Sequence, residues 1–87
     1  MKIEVDIIKY DKNKGIQFEW ERAFGISTDI GNNEIVIKAN SAGLISLAKQ
    51  LLTLAQDEVS VGNHIHLDEY NSLEEGSVDL IIEKSNI

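Results

Sequence analysis

The sequence predicts an α+β fold: a two-layer sandwich with one helix on one face of a mostly antiparallel five-stranded sheet, in the order β-β-β-α-β-β. Two observations predict it. Of five strand-like stretches, four alternate apolar and polar residues, the mark of half-buried strands, and the third is dense in β-branched residues. Between the third and fourth, from Ser41 to Gln56, apolar residues recur at steps of three and four instead, the mark of a helix with one buried stripe. The chain has 87 residues and no proline, repeat or low-complexity run, so one domain spanning 1–87 is expected.

The first strand is read from Lys2 to Tyr10, with Ile3, Val5 and Ile7 on one side and Lys2, Glu4 and Asp6 on the other. The polar turn Asp11-Lys12-Asn13-Lys14-Gly15 leads to a return strand in which Ile16, Phe18 and Trp20 alternate with Gln17, Glu19 and Glu21. Trp20 shares its face with Ile16 and Phe18, which favours core packing over a role as a binding anchor. From Arg22 to Asn33 the alternation fails, predicting a long loop or an irregular strand, with Phe24 and Ile26 open to exposure. Glu34 to Ala39 is a third strand, dense in β-branched residues.

The helix follows, with Asn40 or Ser41 as its N-cap and Leu44, Leu47, Ala48, Leu51, Leu54 and Ala55 as its inward stripe. Asp57 and Glu58 oppose the negative end of the helix dipole, so it should stop near Gln56. On this reading Leu51 lies mid-stripe and its truncation is costly. After Gly62 the period returns to two, with Ile65 and Leu67 inward and His64, His66 and Asp68 outward. A loop from Glu69 to Gly76 precedes a last strand from Ser77 to Lys84, with Val78, Leu80 and Ile82 inward.

Composition narrows the function. There is no cysteine, which removes disulfides and thiolate metal sites. The start, MKIEVDIIKY, has no uninterrupted apolar run of the kind a signal peptide carries, and no stretch is apolar enough to span a membrane. A cytoplasmic protein is expected. Fifteen acidic residues against eight basic ones give a net charge of −7, which disfavours nucleic acid and anionic membranes and favours a basic protein partner. No phosphate-cradling glycine motif is present, and no Ser-His-Asp grouping can be argued, so an enzyme is not expected.

His64, His66 and Asp68 point to one side of a strand and offer an alternative: a small metal-binding protein or metal-dependent enzyme, with Asp79 or Glu83 as a further ligand. Two histidines fall two apart by chance often enough that a structural or interface role is preferred, with no metal and no cofactor. The sheet face turned from the helix is the more informative feature. It gathers Glu19, Glu21, His64, His66, Asp68, Asp79 and Glu83, beside Glu4 and Asp6, with few lysines among them. Like charges opposed across strands are destabilising, so this face is read as a binding surface for a cationic partner. An exposed strand edge would also let two copies pair as a homodimer.

The second half carries a resemblance. Gly43, Leu44, Leu47 and Ala48 at the helix start, His66-Leu67-Asp68, and the turn with Leu73, Gly76 and Ser77 resemble the immunity protein 32 family of bacterial polymorphic toxin systems. The likeness runs from Gly43 to Lys84. It implies a small α+β protein that neutralises a cognate toxin by binding it, without naming the toxin or the contact residues. It also implies a structural reading of the histidine stretch, in which His66 and Asp68 end a strand and brace the Glu69–Gly76 loop.

Overall fold

The computed structural model describes residues 1–87. It is α+β, with two separate two-stranded sheets and one helix in the order β-β-α-β-β. The first sheet is an antiparallel hairpin of β1 (Ile26–Gly31) and β2 (Glu34–Ala39), paired from Ile26–Ala39 to Gly31–Glu34. Its turn is Asn32-Asn33, with φ of 53° and 62°. Both residues adopt the left-handed backbone that a two-residue hairpin turn with right-handed strand twist requires, and asparagine tolerates it. The segment expected to be irregular therefore contains a strand, and Ile26, left open to exposure, is fully buried.

Helix α1 spans Ser41–Leu54. Asn40 caps it, its Oδ1 accepting from the Gly43 N–H at 2.7 Å and from the Gly25 N–H at 2.9 Å. The same side chain thus starts the helix and ties it to the base of the hairpin. Gly43 lies where a methyl group would collide with the Gly25 carbonyl oxygen and crowd Ile26 and Ala39. Only glycine lets the helix start approach β1 this closely.

The helix is rotated from the expected stripe, which keeps Leu54 buried and Leu47 against the core but turns Leu44 and Leu51 outward. Gly43, Ser46, Gln50, Thr53 and Leu54 are buried, whereas Leu44, Ile45, Leu51 and Leu52 are 41–56% exposed. The polar side chains face inward because they serve the backbone of the N-terminal residues. Ser46 Oγ accepts from the Glu21 N–H at 2.8 Å, and Gln50 Nε2 donates to the Glu19 carbonyl at 2.8 Å. Gln56, beyond the helix, accepts from the Tyr10 N–H and donates to the Ile8 carbonyl.

The expected five-stranded sheet does not form, and these bonds bear on why the two N-terminal stretches do not join a sheet. The stretches Lys2–Tyr10 and Ile16–Glu21 are extended in pattern but are not strands. Helix side chains take up backbone groups that a neighbouring strand would otherwise pair. What remains of the expected first hairpin is a bridge between Asp11 and Gly15, closed by the Lys14 and Gly15 N–H groups on the Asp11 carbonyl.

The second sheet pairs β3 (His64–Leu67) with β4 (Leu80–Glu83), antiparallel, from His64–Glu83 to Leu67–Leu80. The last strand is thus shorter than the expected Ser77–Lys84. Residues 74–78 instead run along the outer edge of β1, where the Glu74 N–H donates to the Ile26 carbonyl and the Val78 N–H to that of Thr28. The buried hydrophobic residues are Ile26, Leu54, Val59, Ile65, Leu67 and Leu73, and Trp20, Phe24, Ala39, Leu47 and Leu80 pack around the cluster of Ile26, Leu67 and Leu73. Trp20 stacks on Phe24 with ring centroids 4.7 Å apart, so it serves the core, as its pattern suggests. No helix is long and apolar enough to cross a membrane.

Candidate functional site

Strand β3 alternates as its sequence requires: Ile65 and Leu67 are 1% and 3% exposed, and His64 and His66 are turned to solvent. Across the ladder, His64 lies opposite Glu83 and His66 opposite Ile81. Cross-strand partners share a face, so the outer side of this sheet carries His64, His66, Ile81 and Glu83, with Asp79 and Asp68 at its end. His66 Nε2 donates to Asp79 Oδ2 at 2.9 Å. Both side chains are about half exposed (45% and 60%), so solvent screens the pair and its contribution to stability is small.

Asp68 is held in place by its own turn. Its Oδ1 accepts from the N–H groups of Tyr70 and Asn71 at 2.9 and 3.1 Å. Asn71 returns the contact, accepting from the Asp68 N–H and donating to the His66 carbonyl, both at 3.0 Å. Glu69 accepts from the Gly76 N–H at 2.9 Å and closes the loop. Asp68 thus braces the loop, while the His66 side chain braces the approach to β4. The loop presents Tyr70, 91% exposed, next to Asp68. No sequence motif singles out Tyr70 or Ile81. Their signal was an aromatic in a polar loop and an isoleucine at an outward strand position.

The possible ligand atoms of His66, Asp68 and Asp79 lie within 4.8 Å of one another. This differs from the set His64, His66 and Asp68 weighed from sequence, because His64 is not in the group and sits opposite Glu83 instead. Three donors on an open face are one short of a closed tetrahedral site. All three are also engaged, Asp68 with backbone N–H groups and His66 and Asp79 with each other.

Glu19 and Glu21 are not on this sheet. They lie on the N-terminal residues beside α1, 3.9 and 3.2 Å from Lys49 Nζ. The single acidic sheet face expected from sequence is therefore divided between the β3–β4 surface and a carboxylate pair held by Lys49. The outward leucines of α1 create a second feature that periodicity concealed. Leu44, Ile45 and Ala48 form with Ile3 and Val5 an open groove of about 460 Å³, edged by Glu4, Asp6 and Glu21.

No curated protein and no solved structure matches the chain. The profile of the family described as Immunity protein 32 matches residues 34–85, more than half of the chain. The match begins at β2, runs through α1 and β3, and ends just past β4, so the whole β3–β4 surface and its loop lie inside it. The chain belongs to the immunity protein 32 family.

Proposed function

We propose that the protein neutralises a cognate bacterial toxin by binding it, in the cytoplasm and without catalysis, and that the outer face of β3–β4 is the contact surface. Family membership supports an immunity role, and one structural observation favours this surface. Ile81, 57% exposed, lies opposite His66 on the outer face, between Asp79 and Glu83 along the chain, with Asp68 grouped near His66 and Asp79 and Tyr70 exposed on the adjoining loop. An exposed apolar residue within a charged rim is the usual anatomy of a protein-binding patch. With no lysine or arginine among these residues and a net charge of −7, the fitting partner is basic. Glu19 and Glu21, neutralised in part by Lys49, form a secondary acidic patch.

The test is the double reversal Asp79→Lys with Glu83→Lys, measured for binding to the cognate toxin. Association should slow by about tenfold or more at low salt, and the difference from the parent should shrink as salt screens the charges. Cells expressing the toxin should lose protection. The reversal Asp57→Lys with Glu58→Lys, placed after α1, should change little. Asp68 is left intact because its turn depends on it. Equal binding by both reversed proteins at all salt concentrations would place the contact surface elsewhere, with the α1 groove as the next surface to test.

A further inference from the structure

We propose that the free edge of β2 pairs with β2 of a second copy of this chain, joining the two hairpins into one four-stranded antiparallel sheet. The two edges of the hairpin differ. Beyond its paired strands, the Asn40 N–H donates to the Gly25 carbonyl at 3.1 Å, which extends the same register by one step. In an antiparallel ladder hydrogen-bonded pairs alternate with non-bonded ones. The bonded pairs are therefore Ser27–Lys38, Asp29–Val36 and Gly31–Glu34. The backbone groups of Ile26, Thr28 and Ile30 then point away from β2, and those of Ile35 and Ile37 away from β1.

The β1 edge is occupied. Glu74 and Val78 bond to the carbonyls of Ile26 and Thr28, and Ser77 Oγ accepts from the Thr28 N–H at 3.2 Å. The β2 edge is open: outside the hairpin itself, no backbone hydrogen bond involves residues 34–38. Its side chains are uncovered too, with Ile35 72%, Ile37 39% and Val36 37% exposed, and Ile30 across the ladder 62%. An exposed apolar edge with unpaired amides is a template for another strand.

The charge pattern of Glu34-Ile35-Val36-Ile37-Lys38 selects the occupant. Paired antiparallel with itself about Val36, the strand sets Glu34 against Lys38 of the other copy, and Lys38 against its Glu34. Ile35 meets Ile37, with both backbone groups in the outward, bonding phase. A shift of two residues either way, the smallest that keeps this phase, leaves both charges opposite uncharged residues. The central register is thus self-complementary in charge, backbone phase and overlap, as a two-fold interface requires.

Sedimentation of the parent chain, with single-cysteine cross-linking, tests this independently of toxin binding. The chain has no cysteine. At the two-fold axis Val36 faces its own copy as a non-bonded pair, where Cα atoms lie about 4.5 Å apart, within disulfide range. Val36→Cys should oxidise to a covalent dimer, and Ile45→Cys on the outer side of α1 should not. Lys38→Glu should weaken dimerisation roughly tenfold by opposing like charges twice, and adding Glu34→Lys should restore it to within about threefold. A chain that remains monomeric at all concentrations overturns the proposal. So does a dimer indifferent to both the cysteine position and the charge swap. So does protection of the β2 amides from exchange only when the toxin is added, which would make the edge a toxin site.

Discussion

Replacing Gly43 by alanine sets two effects of opposite sign against each other. Alanine is favoured over glycine in a helix by about 1 kcal/mol, and by less in the first turn, where Gly43 sits. Against this, the added methyl would collide with the Gly25 carbonyl oxygen and lie 3.0 and 3.1 Å from Ile26 Cγ1 and Ala39 Cβ. A backbone carbonyl cannot swing aside as a flexible side chain can, so the helix start must withdraw from β1. Withdrawal stretches the Asn40 contacts to Gly25 and to the Ala23 carbonyl. These are solvent-accessible and worth about 0.5–1 kcal/mol each, and overpacking adds about 1–3 kcal/mol. After the propensity gain is subtracted, the expected net loss is about 2–3 kcal/mol. In a domain of this size that lowers the melting temperature by roughly 10–20 °C. Gly31→Ala is the control. Nothing lies within 4 Å of the position its methyl would take, and its backbone is not left-handed. Its stability should stay within about 0.5 kcal/mol of the parent or rise slightly. Thermal unfolding followed by circular dichroism reads both. If Gly43→Ala melts no lower than Gly31→Ala, the close approach of α1 to β1 is not what positions the helix.

Three further outcomes follow from the orientation of α1 and from the histidine face. Leu67→Ala should cost about 2–5 kcal/mol in denaturant unfolding, whereas Leu51→Ala should cost under about 1 kcal/mol, because Leu67 is 3% exposed and Leu51 is 41% exposed. Similar losses for the two would mean the apolar stripe faces the core after all. Ser46→Ala should cost about 1–2 kcal/mol by leaving the Glu21 N–H without its partner, and an unchanged denaturation midpoint would show that this bond does not hold the N-terminal residues. Elemental analysis of the purified protein should find no stoichiometric metal. One zinc per chain, lost in His66→Ala together with thermal stability, would make the grouping of His66, Asp68 and Asp79 a metal centre.

What the sequence determined by itself was whatever depends on near neighbours. The Asn40 cap and the helix from Ser41 are local chemistry, legible in a few residues. The inward and outward sides of β3 and β4 follow from alternation alone, so the outward placement of His64, His66, Asp79 and Glu83 needed no structure. The Asn32-Asn33 turn was legible in principle, as two residues that accept left-handed backbone between β-branched stretches, but its hairpin was read as irregular. Tertiary structure decided the rest, because an alternating pattern states which side chains share a face and not what the backbone bonds to. Residues 2–10 and 16–21 alternate as strands do, yet several of their backbone partners are Ser46, Gln50 and Gln56, up to 48 positions away. The same distant bonds accompany a rotation of α1 that turns Leu44 and Leu51 of its apolar stripe outward while Leu47 and Leu54 stay against the core. Burying Ser46 and Gln50 satisfies the Glu21 N–H and the Glu19 carbonyl, which leucines would leave unpaired, and an unpaired buried polar group costs more than a half-exposed leucine. That arrangement holds Glu19 and Glu21 beside α1, away from the histidine face, and leaves Leu44, Leu51 and Leu52 exposed. No reading of residue periodicity could weigh it.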